Sequence, residues 1–150
     1  MSALEVHGDD WFEIAPIRVD RSLIVPTSPA VVFARLAEHE RWPEWFDGMR
    51  LVIVTRRVRG VGCERTVAVG PISVRERFVV WEENARLGFY IIEATVPGLR
   101  AMHEDWRLSD LGDGRTRWTS RSAQMPARPS TASPGWSAPS YDERRGGQLA

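Results

Sequence analysis

Residues 26–48, PTSPAVVFARLAEHERWPEWFDG, decide how this chain is read. They form the one convincing helical segment in 150 residues, and the chain beyond them reads as strands. Thr27 or Ser28 can accept a backbone N–H bond as N-cap. Pro29 then holds the first helical position, where its missing N–H costs nothing. Val32, Phe33, Leu36 and Ala37 make an apolar stripe at helical spacing, with Arg35, Glu38 and Glu40 on the far side. A helix of about ten residues is marginal alone, so the stripe must pack against something. Trp42-Pro43 ends it, because the residue before proline avoids the α region. Pro43 can start a second short helix carrying Trp45 and Phe46, closed by Gly48. The two helices make a V-shaped prop. Trp42 and Trp45 are expected in the core, with ring edges able to line a pocket mouth.

Working outward, residues 17–25 alternate: Ile17, Val19, Leu23 and Val25 on one face, Arg18, Asp20 and Ser22 on the other. After the prop, turn signals divide the chain into further strands near 50–58, 63–69, 72–81, 87–94, 100–108 and 116–123. Short connections between consecutive strands give an antiparallel meander of about seven strands. Gly60-Val61-Gly62 is not a dinucleotide fingerprint, since a strand rather than a helix comes after it. Residues 1–15 read as a loosely attached arm and 16–125 as one domain. Residues 126–150, rich in Pro, Ser and Gly without apolar periodicity, read as a disordered tail.

Composition narrows the function classes. At 43% apolar, the chain is long enough for one ordinary soluble domain with a real core. Its 20 basic residues are all arginine, balanced by 20 acidic ones and dispersed along strands, which argues against a nucleic-acid footprint. A single cysteine, Cys63, cannot form an internal disulfide, so a reducing cytoplasm is expected. The opening MSALEVHGDDWFEI lacks the layout of a signal peptide. No apolar run approaches a membrane span.

Strand, two short helices and a long meander resemble the START/SRPBCC superfamily, and within it the polyketide cyclase/dehydratase-like branch. The likeness rests on IVPTSPAVVFARLAEHERWPEWF, GVGCER, FVVWEENARLGF and EDWRLSDLGDGRTRWT, over roughly residues 18–125. It implies an α+β helix-grip-like fold: a curved antiparallel sheet around a cavity for lipids, sterols or polyketides. The family closes that cavity with a long C-terminal helix. Here Pro126, Pro129, Pro134 and Pro139 stand in its place, so no long C-terminal helix is expected.

Centring each hairpin on its turn predicts the inner face. Arg65 faces Glu76, Glu76 faces Ile91, and Phe78 faces Phe89. Across the next two turns, Phe89 is expected opposite Trp106, Ile91 opposite Glu104, Trp106 opposite Trp118, and Glu104 opposite Ser120. One row is aromatic: Phe78, Phe89, Trp106, Trp118. The other is mixed: Arg65, Glu76, Ile91, Glu104, Ser120, with Arg21 able to join. Charges on an apolar face need partners, so an Arg65–Glu76 ion pair is expected, with Glu104 bonded to Ser120 or Arg21. The same groups could instead surround a ligand. A carboxylate beside tryptophans would have its pKa raised, which makes Glu104 the candidate for acid–base work. His103 and Asp105 have outward parity, and Cys63 reads as a small buried residue. His7 and His39 lie in the arm and at a helix end. No Cys/His spacing marks a metal site, and no pattern asks for a cofactor.

The sequence therefore supports a binder of small hydrophobic molecules, with Trp42, Trp45, Arg65, Glu76, Phe78, Phe89, Glu104, Trp106, Trp118 and Ser120 around the ligand. Cyclase or dehydratase activity is the catalytic extension. The alternative is a protein-interaction module, or a truncated non-functional family member, whose uncovered sheet face meets a partner or pairs as a homodimer.

Overall fold

The structure, a computed structural model, describes residues 1–127. The disordered tail and the missing closing helix expected from the sequence lie almost wholly outside the described residues. The elements in chain order are β1 (Ser2–Ala3), α1 (Trp11–Ile14), β2 (Ile17–Val25), α2 (Pro29–Ala37) and a 3-10 helix (His39–Glu44). Six strands complete the order: β3 (Met49–Arg56), β4 (Glu64–Val69), β5 (Ile72–Glu82), β6 (Arg86–Ala94), β7 (Leu99–Asp110) and β8 (Thr116–Pro126). The order across the antiparallel sheet is β2-β8-β7-β6-β5-β4-β3. The fold is α+β and helix-grip-like. β-Bulges between Arg75 and Glu76, and between Phe78 and Val80, bend β5. Gly88 permits the close approach there: a Cβ on it would sit 3.1 Å from Val80.

The prop forms for the expected reasons. Ser28 caps α2 by accepting the Val31 N–H, and Pro29 starts it. Val32, Phe33 and Leu36 are buried against the sheet. The second helix differs from expectation: it begins at His39, contains Pro43 and ends before Trp45. Trp42 Nε1 donates to the Leu36 carbonyl at 2.9 Å, folding the chain back one turn early.

Registers at Arg65–Glu76, Glu76–Ile91 and Phe78–Phe89 are as expected. Two later registers are displaced by two residues, which preserves the facing but changes neighbours. Phe89 faces Glu104 rather than Trp106, and Ile91 faces Met102. Trp106 faces Ser120 rather than Trp118, and Glu104 faces Ser122. Where the first shift occurs, β1 takes the end of β6, pairing Ser2 with Ala94 and Ala3 with Glu93. The second arises because the loop closes through Leu111 N–H to the Arg115 carbonyl, centred on Asp113. Asp110 and Asp113 side chains hold that loop by accepting the Gly112 and Arg115 N–H groups.

The arm is not loosely attached. Leu4 N–H bonds the Ile92 carbonyl at 2.8 Å and Glu5 N–H the Arg100 carbonyl at 2.9 Å. Trp11 and Ala15 pack in a second small core with Ala101 and Ala123. Both outward-facing residues are buried: His103 by the arm, edge-on to Trp11 and stacked on Tyr90, and Asp105 paired with Arg86 and Arg107 of the sheet.

Candidate functional site

The inner face of the sheet and the helical prop enclose the main core, in which residues of both edge strands, Val25 and Val52, take part. Trp42, from the 3-10 helix, stacks on Trp106 at 5.1 Å between ring centroids. Trp45 meets Trp118 edge-on at 5.9 Å. Phe46 lies parallel to Trp106. Two adjoining hollows remain. The larger, about 60 Å³, is lined by Arg21, Leu23, Phe46, Glu104, Trp106, Trp118, Ser120 and Ser122, with Val19 and Ser22 at its edge strand. The smaller, about 30 Å³, is lined by Trp42, Phe46, Glu76, Phe89, Glu104 and Trp106 among others. Glu104, Trp106 and Phe46 form the wall between them.

Arg65 lies behind this wall and is fully buried. Its Nε donates to Glu76 Oε2 at 2.5 Å, and its guanidinium sits 3.6 Å above the Trp42 ring. Its Nη1 is 3.2 Å from His39 Nδ1. A buried arginine needs such company, since an unpaired charge there would be strongly destabilising. Burial pushes the Glu76 carboxyl up and the Arg65 guanidinium opposes it. Burial also holds the His39 imidazole down near 4, with Arg65 adding to the effect.

Glu104 lines both hollows. Burial raises its carboxyl to about 7, opposed by the Trp106 indole N–H and reinforced by the nearby Glu76. Trp106 Nε1 donates to Glu104 Oε2 at 2.7 Å. The expected partner, Ser120 or Arg21, is replaced: the displaced register sets Ser122 opposite Glu104, and the donor is Trp106 on the same strand face. Ser122 in turn receives a bond from the Gln124 amide. With Oε2 accepting from the indole, Oε1 is left to carry the proton. Near neutrality this group can either donate or accept one.

Of the residues expected around a ligand, Glu104, Trp106, Trp118 and Ser120 line the larger hollow. Trp42, Glu76 and Phe89 line the smaller one. Arg65, Phe78 and Trp45 line neither: Arg65 braces Glu76, while Phe78 packs on Phe89 and Trp45 on Trp118. Sequence reasoning missed Phe46, Ser122, Leu23 and His39. Ser122 shares the parity of Ser120, and His39 continues the 32–36–39 helical stripe, so both had a signal. Among the described residues no group of three or more His, Cys, Asp or Glu side chains is placed to hold a metal ion. No helix among them is long and apolar enough to cross a membrane.

Residues 16–142 match a family model described as polyketide cyclase/dehydrase and lipid transport. Uncharacterized proteins of Mycobacterium tuberculosis and Mycobacterium bovis are 30% identical over 133 residues, covering 86% of this chain and 80% of theirs. A START superfamily protein from Mycobacterium smegmatis superposes with a TM-score of 0.67 at 12% identity, over 77% of this chain and 81% of that one. The Zhui aromatase/cyclase from Streptomyces superposes with a TM-score of 0.68 at 16% identity, over 76% of this chain and 70% of that one.

Proposed function

Because this chain belongs to the polyketide cyclase/dehydrase and lipid transport family, we propose that it binds a small hydrophobic, oxygen-bearing molecule in the larger hollow. One observation supports this most: a buried carboxyl with a pKa raised to about 7 beside tryptophans, at the wall of a partly apolar hollow. A protonated Glu104 donates to a ligand carbonyl or hydroxyl, while Trp106, Trp118, Phe46 and Leu23 take its hydrocarbon. Arg21, Ser22, Ser120 and Ser122 supply a polar flank. The hollow is far below the roughly 300–1,000 Å³ of a cavity that swallows a drug-sized ligand. It seats a ring edge or chain end, and Leu23 and Phe46 move to admit more.

The catalytic extension gives Glu104 the role of general acid, protonating a hydroxyl that leaves or a carbonyl that enolises. In this reading residues 16–125 are the ligand-binding unit and residues 1–15 a brace, within the cytoplasm. The protein-interaction alternative calls for a bare aromatic row. Phe78, Phe89, Trp106 and Trp118 are all at most 5% exposed, which favours the binder over a homodimer through that face.

Mass spectrometry of molecules that co-purify with the chain, followed by tryptophan-fluorescence titration with the compound found, tests the proposal. A quench that saturates and is lost in Trp118→Ala supports it. No co-purifying compound and no response to fatty acids or aromatic polyketides overturns it. Glu104→Gln then separates binder from enzyme: affinity persists in both cases, and turnover vanishes only in the second.

A further inference from the structure

The inner row of β2 runs Ile17, Val19, Arg21, Leu23 and Val25, and Arg21 is its one charged member. Arg21 lies opposite Ser120 of β8, which in turn faces Trp106 of β7. Val19, Ser122 and Glu104 make the neighbouring row. Both rows open on the larger hollow, and Arg21 stands at its exposed edge. Among the described residues, Arg21, Arg56 and Arg117 make neither an ion pair nor a hydrogen bond through their side chains, whereas every other arginine makes at least one. Of these three, only Arg21 lines a hollow of the core. The Ser120 hydroxyl likewise has no hydrogen-bond partner among the described residues.

These two groups suit one ligand chemistry. A guanidinium is a planar fork of donors that fits both oxygens of a carboxylate, and a hydroxyl beside it adds a further donor. At the edge of the hollow the arginine keeps its water, so its charge costs little while no ligand is there. Burial raises the Glu104 carboxyl on the same hollow to about 7, so below neutrality it is mostly uncharged and does not repel an anion. One guanidinium balances one negative charge, which favours a monoanion over a dianion such as a phosphate monoester. About 60 Å³ holds a head group of carboxylate size, and the surrounding Leu23, Phe46 and Trp118 are apolar.

We infer that the larger hollow takes the carboxylate of a hydrophobic monocarboxylic acid, held by Arg21 and Ser120, with its hydrocarbon on Leu23, Phe46 and Trp118. This rests on the reading that the hollow binds a hydrophobic ligand, and adds which end of the ligand enters and what charge it carries. Arg21 is then a specificity-determining residue. An alcohol or ester of the same chain length leaves the guanidinium to water and forgoes the ion pair.

Decanoate, decanol and methyl decanoate are the probes, each titrated into the full chain at mildly acid pH while nitrogen-15 NMR follows the tryptophan indoles. Decanoate is expected to shift the Trp106 and Trp118 indole signals and to bind at least about tenfold more tightly than the alcohol or the ester. Arg21→Gln should abolish that preference by weakening decanoate about tenfold, and Arg21→Lys, which keeps the charge and loses the fork, should fall between. Arg21 is exposed on an edge strand, so these variants probe recognition rather than folding. Equal binding of the three probes at those indoles overturns the carboxylate assignment and leaves the hollow a binding site. Decanoate binding that leaves the indole signals unmoved, or that survives Arg21→Gln at full strength, overturns it too. Binding of none of the three also overturns it, whereas the wider reading falls only if no compound co-purifies as well.

Discussion

Trp106 and Glu104 stand two residues apart on one face of β7, and the indole N–H of the first donates to Oε2 of the second at 2.7 Å. The bond does two things. It removes one carboxyl oxygen from play, and it opposes the burial that raises the group toward 7. Replacing Trp106 by Phe keeps the ring plane and deletes the donor. The apparent pKa of Glu104, read by carbon-13 NMR of its carboxyl, should then rise further. An unchanged or lowered value would deny the bond its role.

A carboxyl raised above its unfolded value makes the folded chain hold a proton that the unfolded chain releases. Its contribution to stability is complete below the unfolded value of 4.5 and is lost as pH rises toward about 7. Glu104→Gln removes that loss and should stabilise the chain at pH 8 by roughly 1–3 kcal/mol, with little change at pH 4. Urea midpoints at the two pH values provide the check.

His39 and His103 work in the opposite sense. Burial lowers both to about 4, with Arg65 assisting at His39 and His7 at His103. A histidine depressed in the folded state costs stability as pH falls from 6.5 toward 4, because the unfolded chain takes up the proton first. His103→Gln should flatten the acid side of the stability profile, measured by thermal melts from pH 4 to pH 7. A profile as steep as that of the parent would locate the acid sensitivity elsewhere.

The Arg65–Glu76 pair is buried at both ends. Breaking it from one side, as Arg65→Met, leaves a lone carboxyl among aromatics and should cost about 3–5 kcal/mol. Adding Glu76→Leu to the same chain should recover most of that loss. Equal destabilisation in single and double variants would show that shape rather than charge matters there.

Trp11 ties the arm to the outer face beside His103. Trp11→Ala should destabilise the chain by about 3–5 kcal/mol. It should also raise hydrogen exchange at Leu4 and Glu5, whose amides bond Ile92 and Arg100. Exchange confined to the mutated turn would mean that β1 holds without it.

The facing of nearly every inner residue was legible in the sequence, because side chains alternate with a period of two and one face is apolar. The helical prop was legible too, from Ser28, Pro29 and the stripe of Val32, Phe33 and Leu36. These are local properties: each depends on residues a few positions apart and on the dihedral limits of proline. The neighbours of Glu104 are not local. They depend on where the 111–115 loop closes and on how β6 meets β7, where both registers stand two residues from a centred hairpin without changing any parity. The burial of His103 depends likewise on Trp11, in an arm distant along the chain that folds across the outer face. Only the tertiary structure could decide which polar group meets which, because hydrogen bonds require a separation set by the whole sheet, whereas alternation requires only the strand itself.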